Sequence, residues 1–217
     1  MKLSIPTHLG IAVLALACST AAIADAPPLY SQGFDNLAGS GWLLSNNSAP
    51  AGLSWFQGVP ESLSAQAGAA DSFAMATYLS ALNGSGSIDN WLISPEIALN
   101  GATTLSFWAR SEDTAGFSDT MKVYFNAGAA SSTASFTNLL SSVTATTGGW
   151  TQYSVALPNA ASGRIAFDYF AANADSANVI AIDSVSITAV PEPTTYALLG
   201  LGLCAIAAVR RKARAQI

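Results

Sequence analysis

Apolar and polar side chains alternate over several short segments in the middle of the chain. In 103–109, for example, Leu105, Phe107 and Ala109 fall on one face and Trp108 falls on the other. A period of two, rich in Val, Ile, Thr and aromatic residues, is typical of half-buried β-strands. The same alternation recurs in segments 121–125, 152–157 and 164–169.

Shorter apolar segments lie between Gly, Asn and Ser turn signals. Shorter strands are predicted at 42–44, 53–56, 72–79 and 91–93. No stretch of the middle shows a helical period with caps. Eight to ten short strands therefore predict an all-β fold, a two-layer antiparallel jelly-roll-like β-sandwich.

The last apolar segment changes phase. Ile180 and Ile182 share one face, whereas Val185 and Ile187 have the opposite parity. A β-bulge near Asp183 and Ser184 would restore a single inward face. Burial of the strand on both faces is the alternative.

The N-terminus has the features of an export signal. Lys2 precedes an apolar run, 9–18, and Ala22 and Ala24 form a small-x-small cleavage site. This order predicts a secretory signal peptide over 1–24, cleaved after Ala24. A lipoprotein signal ending at Cys18 is the alternative.

The C-terminal segment, 190–217, combines proline, an apolar run and basic residues. The apolar residues 197–209 would span about 20 Å as a helix, less than the ~30 Å hydrocarbon core. We predict a short transmembrane helix at about 195–209. Basic residues that follow it mark the cytoplasmic side, so the middle of the chain, 25–189, is expected outside. This membrane-stop cluster comprises Arg210, Arg211, Lys212 and Arg214.

This segment resembles the PEP-CTERM sorting tail of Gram-negative bacteria. The resemblance rests on Pro191, Glu192 and Pro193, followed by a Gly- and Ala-rich apolar run and an Arg-rich end. It implies recognition of that tripeptide by a membrane-embedded exosortase, removal of the tail and export to the cell surface or exopolysaccharide matrix. Until processing, the C-terminal helix would hold the precursor in the membrane. A simple single-pass anchor is the alternative.

Charge and reactive side chains narrow the chemistry. All thirteen acidic residues lie between Asp25 and Glu192, where there are three basic residues, so this part carries a net charge of −10. Such a surface repels nucleic acid. The one histidine, His8, and the two cysteines, Cys18 and Cys204, fall in the predicted signal and tail. Thiol, Ser-His-Asp and zinc or copper chemistry are thus excluded from a domain at 25–189.

The middle of the chain also resembles the choice-of-anchor J and cleaved-adhesin-like domains, which are related to MAM-type jelly rolls. The most specific landmark is the run Asn-Trp-Leu-Ile-Ser-Pro at 90–95. The other landmarks are Gly33-Phe34-Asp35, Gly41-Trp42, 105–109, 150–153 and 182–187. The resemblance implies a jelly-roll sandwich with a role in surface binding or adhesion.

Members of these families often bind structural calcium where the first strand meets the last. Asp35 and Asp183 occupy comparable places here, and turn or capping aspartates are the alternative. No other cofactor is expected.

A non-enzymatic surface or matrix protein is the leading interpretation. A carbohydrate-binding module, or a glycan-active protein that uses carboxylates alone, is the alternative. Surface glycan or exopolysaccharide is the expected partner. Trp108, on the polar face of its strand, is the candidate glycan contact, since most of the five tryptophans should fill the core.

Overall fold

A computed structural model describes residues 27–190, 197–198 and 200–206. The predicted signal cleavage site and sorting motif lie outside these residues, as does the basic cluster at 210–214. Within 27–190, regular structure consists of twelve strands and four 3-10 helices. The strands are β1 Tyr30–Gln32, β2 Leu43–Asn46, β3 Phe56–Gln57, β4 Ala74–Thr77, β5 Ile88–Ile93, β6 Ile97–Ala98, β7 Thr103–Ser111, β8 Thr120–Ala127, β9 Asn138–Thr144, β10 Thr151–Leu157, β11 Ser162–Ala171 and β12 Val179–Ala189. The 3-10 helices are Tyr78–Ser80, Leu82–Gly84, Thr133–Ser135 and Ala174–Ser176.

The strands form two antiparallel sheets, as the alternation predicts. The first sheet has the order β10-β7-β12-β4-β3, with β1 paired to β12. The second has the order β2-β5-β11-β8-β9, with β6 paired to β11. The all-β sandwich is thus confirmed.

The core is the layer between the two sheets, and aromatic rings join its halves. Phe107 of β7 meets Phe167 of β11 edge to face, with ring centroids 4.9 Å apart. Trp42 stacks on Phe167 at 5.9 Å, and its indole N–H donates to the Tyr30 hydroxyl at 2.7 Å. These inward residues belong to the faces that the period of two marked as apolar, because alternate side chains of a strand point to opposite sides.

The phase change in β12 is a β-bulge, as predicted. The register with β7 shifts between Asp183 and Ser186, and Ser184 adopts a positive φ of 49°. The shift returns Val185 and Ile187 to the core side, where both are buried.

The C-terminal part of the structure is helical where it is described, at 197–198 and 200–206. No helix among the described residues is both long enough and apolar enough to cross a membrane. Residues 195–196, 199 and 207–209 of the transmembrane helix predicted at about 195–209 lie outside the described residues, and the prediction stays a prediction.

Candidate functional site

A loop at 58–72, here called the covering loop, lies across the outer face of the first sheet. Leu63 and Ala65 of this loop pack on an apolar cluster. The other members of that cluster are Phe56, Phe73, Met75, Trp150, Val179 and Ala181. The alternation of side chains predicts that this face of the sheet is open to solvent. The covering loop shields part of it from water.

Two tryptophans reach this surface. Trp108 and Trp150 are half-buried, whereas the other three tryptophans of the chain are buried. Trp150 is held in place by its indole N–H, which donates to the Ser64 carbonyl of the covering loop at 2.9 Å. It also meets Phe73 edge to face, with centroids 6.0 Å apart. Trp108 lies on the outward side of β7, where the sequence places it.

Arg110 lies on the same outward side of β7, two residues beyond Trp108. Its guanidinium carbon is 5.8 Å from the centre of the Trp150 ring. Its Nε is buried and has no hydrogen-bond partner among the described residues. Across the strand it faces Ala181 of β12, so the sheet offers it no polar neighbour at this position. The sequence marks Arg110 only as one of three internal basic residues.

The other two basic residues of the domain are engaged by the protein. Lys122 Nζ lies 3.9 Å from Asp168 Oδ2, the one contact at ion-pair distance found in the described part of the chain, and over the Phe170 ring at 3.1 Å. Arg164 donates through Nε to the Ala129 carbonyl at 3.0 Å and through Nη1 to the Ser94 carbonyl at 2.6 Å. Arg110 differs from both because its Nε has no hydrogen-bond partner in the described part of the chain.

The two aspartates predicted to bind calcium both touch the covering loop. Asp183 is fully buried, and its Oδ2 accepts from the backbone N–H groups of Gln66 and Ala67 at 2.9 and 3.1 Å. Asp35 accepts from the Ser72 hydroxyl at 2.7 Å. The structure thus brings the pair to one loop, although through contacts made at different places along it.

Burial raises the pKa of Asp183, and hydrogen bonds from Ala67, Ser184 and Gln66 act in the opposite direction. Asp183 has no cationic side chain beside it among the described residues. A bound cation would favour its charged form and so offset the effect of burial. Calcium, however, requires six to eight oxygen ligands. Within the described ranges no group of three or more His, Cys, Asp or Glu side chains is placed to hold a metal ion. Asp35 and Asp183 therefore supply only part of the ligand set of a calcium ion. Carbonyl or water oxygens would have to supply the rest.

The acidic residues between β7 and β8 lie in different environments. Asp113 is exposed, whereas Asp119 is buried and accepts from the Tyr169 hydroxyl, from Ser111 Oγ at 2.6 Å and from the Asn178 N–H at 2.8 Å. Asp119 therefore links β7, β11 and the residue before β12 from within, and is not open to a ligand.

A third buried carboxyl lies on the outer face of the second sheet. Asp168 is 1% exposed, and on the same sheet Phe136 of the 128–137 connection packs on Trp91. Burial, and then the charge of Asp89, raise the pKa of Asp168 to about 8, while Lys122 acts to lower it. Asp168 Oδ1 is buried and has no hydrogen-bond partner in the described part of the chain.

These positions bear on carboxylate catalysis. A glycosidase needs two carboxyl groups about 5–9 Å apart that both reach the substrate. Asp168 is too buried to meet a glycosidic bond. The groove lined by Tyr78, Phe117 and Asn178 contains a single acidic residue, Asp175.

Comparison with known proteins places the fold. Residues 31–187 match the family model of the Cleaved Adhesin Domain, and residues 189–212 match that of the PEP-CTERM protein-sorting motif. No curated protein shows significant sequence similarity to the chain.

Among solved structures, the chain is similar to two cleaved adhesin domains of Lys-gingipain from Porphyromonas gingivalis W83. The K1 domain aligns with a TM-score of 0.62 and 24% identity, over 75% of this chain and 98% of that one. The K3 domain aligns with a TM-score of 0.61 and 25% identity, over 76% and 99%. The CBM22-1 xylan-binding domain of Paenibacillus barcinonensis Xyn10C aligns with a TM-score of 0.50 and 13% identity, over 77% and 97%. The last likeness establishes a shared jelly-roll architecture.

Proposed function

Because the chain belongs to the Cleaved Adhesin Domain family, we propose that it is an exported, non-catalytic surface protein whose β-sandwich binds glycan. The proposed ligand is a polysaccharide of the cell surface or the extracellular matrix. The observation that carries the proposal is the outer face of the first sheet, where Trp108 and Trp150 are partly open to solvent. Indole rings supply flat apolar area with little loss of side-chain entropy, as a sugar face requires.

The rigidity of this surface supports the proposal. Trp150 is fixed on two sides, by the Ser64 carbonyl and by Phe73. Trp108 stands on β7, a central strand that pairs with β10 on one side and β12 on the other. A site on paired strands needs little reorganisation when it binds, which lowers the entropic cost of association.

The C-terminal sorting motif supports the proposed location at the cell surface or in the extracellular matrix. The match at 189–212 favours processing by an exosortase-type protease, with Pro191, Glu192 and Pro193 as the recognition residues. We propose that 1–24 is removed on export and that the membrane holds the tail, with its basic cluster inside, until cleavage releases the domain at 25–189. The organism would then be a Gram-negative bacterium.

The binding proposal is tested with a glycan array on the exported protein. We expect retention of at least one polysaccharide class by the wild-type protein and loss of that signal in Trp108→Ala. Phe117→Ala is the matched control, because Phe117 is an exposed aromatic residue in the groove beside Asn178, away from this face. Equal loss in both variants, or none in Trp108→Ala, would place the binding elsewhere.

The sorting proposal is tested by intact-mass spectrometry of the protein from cells with and without the processing protease. We expect loss of the C-terminal mass only when the protease is present. Glu192→Ala should block that loss, whereas Glu96→Ala, a change in the folded domain, should not. A full-length product at the surface of wild-type cells would refute processing.

A further inference from the structure

We propose that Arg110 binds the carboxylate of an acidic sugar, with Trp108 and Trp150 contacting the sugar rings beside it. The inference rests on the proposed glycan binding and assigns its ligand class, a uronic acid or a chemically similar carboxylated sugar. Arg110 and the two tryptophans are together called the Arg110 patch.

The guanidinium of Arg110 lacks the partners that such a group normally has. Its Nε is buried without an acceptor, and no carboxylate lies within ion-pair distance in the described part of the chain. Because the Nε is closed to solvent, an outside ligand would meet the two Nη groups of this half-buried residue. Their paired N–H donors match the two oxygens of a carboxylate.

The surroundings strengthen this interaction. Arg110 faces Ala181 across the strand and Trp150 at 5.8 Å, and the covering loop adds Leu63 to the same cluster. Among apolar groups the attraction between a guanidinium and a carboxylate is weakened less by solvent than on an open surface. The Trp150 ring also favours one orientation of the guanidinium plane through a cation–π contact.

The acidic residues nearest along the strands are already engaged. Glu112, two residues beyond Arg110 on the same strand, accepts from Ser62 at 3.0 Å and from Asn178 at 3.0 Å. Asp183, opposite Trp108, accepts from the N–H groups of the covering loop. These hydrogen bonds hold both carboxylates in place, and neither forms an ion pair with Arg110.

The spacing suits one sugar unit. Trp108 and Arg110 are two residues apart on one face of β7, which corresponds to about 7 Å along a strand. A pyranose ring stacked on Trp108 would carry its carboxylate toward the guanidinium. Since the domain is acidic overall, a densely charged polyanion would be repelled. We therefore expect binding of a polysaccharide with isolated carboxylated units.

The test compares an acid with its ester. Binding of a trisaccharide with one galacturonic acid unit, and of its methyl ester, to the full-length protein is measured by calorimetry and by tryptophan fluorescence. We expect the ester to bind at least tenfold more weakly to the wild-type protein. Arg110→Gln should bind both ligands equally, at the affinity of the ester, and Arg110→Lys should recover part of the preference. Lys122→Gln is the matched control, because it removes the same charge from the second sheet and should keep the full preference.

The outcomes separate this inference from the proposed function. Equal wild-type affinity for acid and ester, or an acid preference that survives in Arg110→Gln, overturns the role of Arg110 but leaves glycan binding in place. Failure of every glycan on the array to bind overturns the proposed function as well. Thermal unfolding of each variant identifies any loss of binding that is due to unfolding.

Discussion

Replacing Asp168 by Asn should make the protein more stable at pH 8 while leaving it almost unchanged at pH 4. Asp168 is 1% exposed on the outer face of β11. Burial, followed by the charge of Asp89, raises its pKa from 3.8 to about 8. In the folded protein this carboxyl group therefore carries a proton at pH 7, and in the unfolded chain it does not.

The sign of the pH dependence follows from these pKa values. Between about pH 4 and pH 8 the folded state binds one more proton than the unfolded state at this site. A raised carboxyl pKa makes the free energy of unfolding fall as the pH rises through that window. At about 1.4 kcal/mol for each pKa unit, the cost at pH 8 approaches ~6 kcal/mol.

Asn has nearly the same shape as a protonated Asp and does not titrate. At pH 4, close to the unfolded-state pKa of 3.8, the difference in protonation between the two states is small, so we expect the variant to lie within ~1 kcal/mol of wild type. At pH 8 we expect it to be more stable by several kcal/mol, a large share of a typical total of ~5–15 kcal/mol.

The assay is urea unfolding of the full-length protein at intervals from pH 4 to pH 8.5, with Asp113→Asn as the control. Asp113 is exposed, so its replacement should leave the pH profile unchanged. The difference between wild type and Asp168→Asn isolates this one group from Asp183, whose pKa is also raised. A variant that is no more stable than wild type at pH 8 would refute the burial argument.

The calcium prediction is checked by thermal unfolding: Ca²⁺ at 100 times its Kd should stabilise the wild-type protein by about 2.7 kcal/mol. Asp35→Asn and Asp183→Asn should abolish this gain, and a melting temperature unaffected by Ca²⁺ or EDTA would identify both as hydrogen-bond acceptors only. Gly52→Ala should lower the free energy of unfolding by ~1–3 kcal/mol, because a Cβ there would clash with the carbonyl oxygen of Leu79. Gly33→Ala, where a Cβ would meet nothing within 4 Å, should change stability by less than ~1 kcal/mol, and similar urea midpoints for the two variants would contradict the expected clash.

The inner faces of the strands were predictable from the sequence because they follow from local alternation. Leu105, Phe107 and Ala109 are buried between the sheets, as their parity requires. The bulge at Asp183 and Ser184 was predictable for the same reason, since only a shift in phase keeps both halves of β12 facing the core. Strands β1, β6 and β9 escaped prediction. Each of the first two is only two or three residues long, and β9, Asn138–Thr144, has no alternation of apolar and polar residues.

The outer faces could not be predicted in this way. Parity places Arg110 and Asp168 outward, which is correct, but it says nothing of the loops that cover them. The covering loop and the 128–137 connection are distant in sequence from the strands on which they pack. Burial of Asp168 and the isolation of Arg110 are thus products of tertiary packing. Trp108 was found because β7 is long and regular, whereas Trp150 precedes a strand and carries no alternation signal.

Strand β12 is among the last parts of the domain to be synthesised, yet it lies inside the first sheet between β7 and β4 and also pairs with β1. While a chain crosses a membrane N-terminus first, the first sheet has a gap at its centre until residues 179–189 have emerged. Such long-range pairing makes closure of the sandwich a late step. The domain therefore acquires its full stability only once residues 179–189, which directly precede the sorting motif, have crossed the membrane. Folding and processing would then occur close together in time.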